Sequence, residues 1–162
     1  MQKPPVRPPS AREPVARLAA TQDGLVTRQQ ALALGMSAGA LRRRIQAGGR
    51  WQVVVPGVYA TFTGPLGRRH RLRAALLHAG DGALLCGATA TEVYALHYAP
   101  PPDGAVHVLV DHHCKVGSTG FVRIERTTNL PDEWSAGALP LVPVAHAVVN
   151  AVRKVRSLRD VR

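Results

Sequence analysis

A basic stretch near position 42 has the residue types of a surface that contacts nucleic acid. It contains Arg42, Arg43, Arg44 and Gln46. Arginine can bind guanine edges bidentately or contact phosphate, and glutamine can pair with adenine. On a helix of about 100° per residue, these side chains and Gly39 lie opposite an apolar face, with Arg44 at the flank. The alternative interpretation is a solvated basic face on an ordinary surface helix.

Two short helices joined by a tight turn are predicted to position these residues. Thr27 and Gln30 have the spacing of a capping box, so the first helix is expected to begin directly after Thr27. Gly35 suits the left-handed residue that ends a helix, and Ser37 can cap the second helix. This pattern predicts a helix-turn-helix whose second helix, residues 37–46, enters the major groove of DNA.

A β-hairpin is predicted directly after the second helix. Residues 51–55 and 58–62 are rich in β-branched and aromatic side chains and are separated by a Pro-Gly pair. A hairpin in this place makes a winged helix. Arg50 and Gln52 lie at its entry, where a side chain can reach the DNA backbone.

A further helix, predicted over residues 67–79, adds basic side chains. Its first half carries four arginines, at positions 68, 69, 71 and 73. Because cations at a helix N-terminus oppose its dipole, this arrangement hints at an external anion such as a phosphate. We therefore expect Arg68 and Arg69 to contact the DNA backbone. We expect the same of Arg44 and Arg50.

Charge is unevenly distributed along the 162 residues, whose formal net charge is +11. Residues 1–73 contain 13 Lys and Arg against two acids, whereas residues 74–162 contain eight of each, so the whole excess lies in the first half. This segregation predicts an acidic partner, with double-stranded DNA first. Aromatic residues make up only 4% of the chain, which argues against single-strand binding by base stacking.

The fold class predicted is α+β, in four segments. The two main segments are a winged helix-turn-helix domain over residues 11–65 and a small mixed α/β module over residues 66–150. A flexible basic arm is predicted before them, over residues 1–10, and a basic tail after them, over residues 151–162. The first domain opens with a helix over residues 10–22. The module is predicted to contain a short strand at 83–86, a helix at 89–97, an antiparallel hairpin of strands 105–111 and 120–127, and a last helix after Pro143.

No constellation of catalytic or metal-binding residues is predicted. His107, His112, His113 and Cys114 are close in sequence, but adjacent residues in a strand or loop point apart, and no zinc-ligand spacing is present. The acids of the second half are scattered, whereas a nuclease needs clustered carboxylates around Mg²⁺. We therefore expect no metal, no cofactor and no enzymatic activity.

The two cysteines and the hydropathy pattern predict a cytoplasmic protein without a membrane partner. Cys86 and Cys114 are far apart, and no secretory signal or membrane-spanning apolar run is present. Cys86 lies in the apolar run 83–86 and is expected to be a buried small hydrophobe.

Two stretches resemble a known family. The order L-A-A-x-Q-D-G-L-V-T-R-x-Q-A-L-A-L-G-M-S at residues 18–37, and L-R-R-R-I-x-x-G-G-x-W-Q-V-V-x-P-G-V-Y-A at residues 41–60, are similar to the AbiEi-type antitoxin domain, the winged-helix part of type IV abortive-infection toxin–antitoxin proteins. The resemblance is strong over residues 15–80 and continues more weakly to about residue 150. The chain departs from the family pattern at Gly87 and in the last helix, at His146, Ala147 and Asn150.

The resemblance implies DNA binding, autoregulation of an operon and a cognate toxin as partner. Many members of this kind also carry a C-terminal domain similar to very-short-patch-repair endonucleases. Together with the basic side chains, it gives the expected DNA-contacting set: Ser37, Gly39, Arg42, Arg43, Arg44, Gln46, Arg50, Gln52, Arg68 and Arg69.

Three functions follow from these observations. The first is a DNA-binding transcriptional regulator and antitoxin. The second is the N-terminal regulatory part of an endonuclease-like protein, shortened by an early stop or a frameshift. The third is a protein-interaction module, in which the near-neutral second half binds a toxin or forms a homodimer.

Overall fold

The computed structural model describes residues 12–97 and 103–153 and divides between Pro65 and Leu66 into two compact units. Unit 1 is the part up to Pro65, and unit 2 is the part from Leu66 onward. Each unit combines helices with a sheet, which confirms the expected α+β class. The arm predicted at residues 1–10 lies outside the described residues, as do residues 154–162 of the predicted tail, whereas its residues 151–153 belong to the last helix.

Within residues 12–65, unit 1 contains three helices and a three-stranded antiparallel sheet of order β1-β3-β2. Its elements are α1 (Arg12–Thr21), β1 (Leu25–Thr27), α2 (Arg28–Ala33), α3 (Ala38–Ile45), β2 (Gln52–Val55) and β3 (Val58–Ala60). The hairpin of β2 and β3 occurs where the sequence predicts it. Strand β1 was not predicted, because three residues are too few to show a strand period and their partner, β3, is distant in sequence.

Local capping interactions define α2 and α3 as the sequence predicts. The Thr27 hydroxyl accepts a hydrogen bond from the Gln30 backbone N–H at 3.1 Å, and the Gln30 side chain accepts one from the Thr27 N–H at 2.9 Å. Gly35 ends α2 with a φ of +85°, and the Ser37 hydroxyl accepts the Ala40 N–H at 3.2 Å. The turn between α2 and α3 is therefore fixed by side chains that lie within it.

One apolar cluster joins helices α1, α2 and α3 to the sheet of unit 1. Its buried members are Val15, Val26, Ala31, Met36, Leu41, Trp51 and Tyr59. Because α1, α2 and α3 each contribute at least one of these side chains, the orientation of α3 is set by burial rather than by its loops alone.

Unit 2 is built on a five-stranded mixed sheet of order β6-β5-β4-β8-β7. Its elements are α4 (Arg68–Ala79), β4 (Leu84–Leu85), α5 (Gly87–Val93), β5 (Val106–Asp111), β6 (Val122–Thr127), β7 (Trp134–Ala136), β8 (Leu139–Leu141) and α6 (Val144–Arg153). Strand β5 is buried from Val106 to Val110, and Val106 and Val108 are fully inaccessible to solvent. Helices α4 and α6 occur as predicted, whereas α5 is shorter than the predicted 89–97 segment, because Ala95 turns to a positive φ of 52°.

The antiparallel hairpin predicted from residues 105–127 is wrong. Strands β5 and β6 run parallel, in a register from Val106 opposite Val122 to Asp111 opposite Thr127. Alternation of apolar and polar residues is the same in both strand directions, so the pattern predicts the strands but not their sense. The antiparallel hairpin of unit 2 is formed instead by β7 and β8.

Across the described ranges, no helix has the length and apolar character needed to cross a membrane.

Candidate nucleic-acid interface

Helix α3 has one buried and one exposed face. Leu41 is 3% exposed and belongs to the core cluster of unit 1, and Ile45 packs against that cluster. Arg42, Arg43 and Gln46 are exposed. The helix therefore presents two guanidinium groups and an amide to solvent while its apolar side is fixed, as the sequence predicts.

The first turn of α3 is open on the same side as these cations. Ser37 and Gly39 are both exposed. A Cβ added at Gly39 would lie 3.6 Å from Nη1 of Arg43, so the Arg43 side chain extends back over the turn that contains Gly39. The missing side chain at Gly39 allows a ligand backbone to approach α3 closely beside Arg43.

Arg44 is part of the packing of unit 1. Its guanidinium carbon lies 4.9 Å from the centroid of the Trp51 ring, and its backbone carbonyl accepts the Trp51 N–H at 3.0 Å. Trp51 is only 7% exposed. Arg44 therefore attaches the end of α3 to the start of the hairpin, by a cation–π contact and a backbone hydrogen bond.

The two residues predicted at the hairpin entry differ in their surroundings. Arg50 is exposed. The Gln52 side-chain amide donates hydrogen bonds to the carbonyls of Phe62, at 3.3 Å, and Gly64, at 2.9 Å. Gln52 thus uses its donors to hold the segment that follows β3, and its amide oxygen is the group it can offer to an external donor.

A cleft of about 660 Å³ extends the cationic surface of unit 1 beyond α3. Arg44, Arg50 and Trp51 line it, together with small residues at positions 16, 19, 20, 24 and 61. The cleft therefore has two arginines, Arg44 and Arg50, in one concave lining.

Arg68 and Arg69 lie in unit 2, in the first turn of α4. Nε of Arg68 donates to Oε1 of Glu92 at 2.9 Å, and its Nη2 pairs with the second oxygen of the same carboxylate. The Gly67 N–H donates to Nδ1 of His70 at 3.1 Å. The anion that the sequence predicts beside these cations is thus supplied to Arg68 by Glu92 of α5. Arg69 is exposed.

Parallel pairing in unit 2 brings Glu125 to His107, which Asp103 also contacts from four residues earlier in the chain. His107 of β5 is 8% exposed, and its Nδ1 lies 3.2 Å from Oε1 of Glu125 on β6. Its Nε2 lies 3.6 Å from Oδ2 of Asp103. Burial acts to raise the pKa of Asp103, but the Ala105 N–H and the neighbouring His107 outweigh it and lower that pKa. Knowledge of the strand direction would have been needed to predict the contact between His107 and Glu125.

Two further predictions for the second half concern the burial of Cys86 and the directions of the histidine side chains after β5. Cys86 is buried, as predicted, with its Sγ 3.7 Å from Oε1 of Glu125. The side chains of Asp111, His112 and His113 do not point apart: one potential ligand atom from each lies within 4.8 Å of the other two. A turn after β5, rather than an extended strand, causes this convergence.

A known protein family matches the part of the chain that contains the cationic surface of unit 1. No curated protein matches the chain. Residues 13–61, which include α3 and the hairpin, match a family described as transcriptional regulator, AbiEi antitoxin. The resemblance that the sequence suggests is therefore confirmed for residues 13–61, which are similar to antitoxin regulators of the AbiEi type.

Proposed function

We propose that unit 1 is a winged helix-turn-helix that binds double-stranded DNA, and that the protein is a transcriptional regulator of the antitoxin type. The observation that carries the proposal is the division of α3 into a buried face and a cationic face. Leu41 fixes the helix in the core, while Arg42 and Arg43 are exposed together. The family match over residues 13–61 supports the same function independently.

In this proposal, α3 enters the major groove and its exposed side chains divide the contacts. Arg42, Arg43 and Gln46 reach base edges or phosphates, since each has donors on the side away from the core. The first turn, from Ser37, places backbone N–H groups near a phosphate, and Gly39 permits the close approach that this contact requires.

The hairpin of β2 and β3 acts as the wing beside α3. Arg50, exposed at its entry, contacts the DNA backbone. Arg44 contributes by positioning α3 on Trp51, and its guanidinium adds positive potential at the flank. We assign the base-reading role to Arg42, Arg43 and Gln46 in preference to Arg44, because the Arg44 side chain is engaged by the Trp51 ring.

The test is fluorescence anisotropy of the full chain with a labelled duplex from its own upstream region and with a scrambled duplex. Arg43→Ala should weaken binding to the upstream duplex by about 1–3 kcal/mol, roughly 5- to 150-fold, and reduce the preference over the scrambled one if Arg43 reads a base. Arg17→Ala is the matched control, because Arg17 is exposed on α1 and pairs with Glu13. Equal effects of the two substitutions would contradict the assignment of α3.

Autoregulation is tested separately in cells. A reporter under the upstream promoter should be repressed by the wild-type chain and released by Arg43→Ala at equal protein level. Repression that Arg43→Ala leaves unchanged would show that any control of this promoter does not pass through α3.

We also propose that unit 2 binds a protein partner, either a cognate toxin or a second copy of the chain. The supporting observation is an apolar side of α6 at which Val144, Val148, Val149 and Val152 are 39–58% exposed. Co-expression with the product of the neighbouring gene, and light scattering of the chain alone, separate the two partners. Replacement of Val148 and Val149 by Ser should disrupt whichever complex is found, and a monomer without a toxin complex would contradict the proposal.

A further inference from the structure

A turn at the carboxyl end of β5 brings three potential metal ligands together. Asp111 is the last residue of the strand, and His112 and His113 follow it. One ligand atom of each residue lies within 4.8 Å of the other two. The two imidazole rings have centroids 3.7 Å apart and are tilted by 41°.

The backbone of this turn is held by hydrogen bonds on both sides. The Cys114 N–H donates to the Asp111 carbonyl at 3.0 Å and closes the turn, and the His112 N–H donates to the Thr127 carbonyl of β6 at 2.9 Å. Arg126 of β6 donates from Nε to the Cys114 carbonyl at 2.9 Å. The Cα positions of the two histidines are therefore fixed before any ligand binds, which reduces the entropy cost of binding.

The carboxylate is oriented as well. The His113 backbone N–H donates to Oδ1 of Asp111 at 2.8 Å, and Nδ1 of His112 lies 3.3 Å from the same oxygen. An oxygen held by a backbone N–H keeps its carboxylate in one rotamer, so the second oxygen has a defined direction. Because the two imidazoles are exposed, they can rotate to bring their nitrogens to a common centre.

We propose that Asp111, His112 and His113 bind one divalent transition-metal ion, of which Zn²⁺ is the probe. Two imidazole nitrogens and one carboxylate oxygen suit borderline metals such as Zn²⁺, Ni²⁺ and Cu²⁺, with bonds of about 2.0–2.2 Å for Zn²⁺. Rotation of the two exposed imidazoles can close the ligand atoms from their present spacing onto such an ion beside the fixed Asp111 carboxylate. Three protein ligands leave at least one position for water or for a further donor. The site does not depend on the proposed DNA contacts of unit 1.

The test is calorimetric titration of Zn²⁺ into the full chain at neutral pH in a buffer that does not chelate. The expected result is saturable binding of one ion per chain. His112→Ala, His113→Ala and Asp111→Asn should each weaken it by at least about tenfold, since even an outer-shell partner is typically worth 10- to 100-fold. His146→Ala, on α6, is the control and should leave it unchanged.

Two further measurements identify the ligands. Paramagnetic Ni²⁺ should broaden the amide signals of residues 110–114 and of Thr127 first, while those of His107 and His146 persist. Cys114→Ser should leave the Zn²⁺ affinity unchanged, because the thiol is not one of the three grouped ligands. Binding lost in Cys114→Ser, broadening centred on His107, or Zn²⁺ affinity that survives all three ligand substitutions would overturn the proposal.

Discussion

Two neighbouring arginines of α3 have different surroundings, and the proposed function gives them different tasks, which can be measured. Arg44 contacts the Trp51 ring, whereas Arg43 extends over the open turn at Gly39. Replacement of Arg44 by Ala should therefore lower the free energy of unfolding of unit 1, while replacement of Arg43 by Ala should lower DNA affinity.

The magnitude for Arg44 follows from its contacts. A cation–π pair over tryptophan contributes about 0.5–1 kcal/mol at an exposed site and about 2 kcal/mol when desolvated. Arg44 is half-buried, and Ala also removes the aliphatic part of its side chain, which covers apolar surface in long basic residues. We therefore expect Arg44→Ala to cost about 1–2 kcal/mol, against less than about 0.5 kcal/mol for the exposed Arg43→Ala.

The assay is urea unfolding followed by tryptophan fluorescence. Trp51 lies in unit 1 and Trp134 in unit 2, so a Trp134→Phe background gives a signal from unit 1 alone. Duplex binding is measured on the same proteins. The reasoning would be refuted by equal loss of stability in both variants, or by an Arg44→Ala protein as stable as its parent.

Three further predictions concern the helix ends and the acid limb of stability. Thr27→Ala should destabilise unit 1 by about 1 kcal/mol in urea unfolding because it removes the cap of α2, with the exposed Thr63→Ala as control. Tyr94→Phe should destabilise unit 2 by about 1 kcal/mol, since the hydroxyl donates to the Val142 carbonyl at 2.9 Å; an unchanged midpoint would contradict this bond. Asp103 has a folded-state pKa below its ordinary 3.8, so it stabilises the fold above that pH and loses this effect as pH falls through the lower value. Asp103→Asn should therefore flatten the acid limb of a thermal-stability profile, slightly, because the carboxylate is 63% exposed and screened by water.

Helices α2 and α3 and the turn between them could be predicted because their signals are local. Thr27 and Gln30, Gly35, and Ser37 each act within a few residues of their own position, so their spacing determines their contacts. The same locality explains why the exposed side of α3 was predicted correctly: successive helical residues lie about 100° apart, so Arg42 and Arg43 lie about 100° and 200° around the helix from the buried Leu41.

What the sequence did not reveal depends on contacts between distant residues. The parallel sense of β5 and β6 determines that Glu125 meets His107, and no periodicity contains that information. Likewise, the partner of Arg68 is Glu92, in the next helix, and the donors of Gln52 are used by carbonyls more than nine residues away. In each case the residue type predicts a polar contact, but only the fold determines whether the partner is internal or a ligand.

The most direct test of the central claim is an amide NMR titration of the 17.3 kDa chain with its upstream duplex. The claim that α3 and the hairpin entry contact DNA predicts that the largest shift changes occur at Gly39, Arg42, Arg43, Gln46 and Arg50. The amides of β5 should move little. Large changes confined to unit 2, with the signals of α3 unmoved at saturation, would contradict the proposed interface.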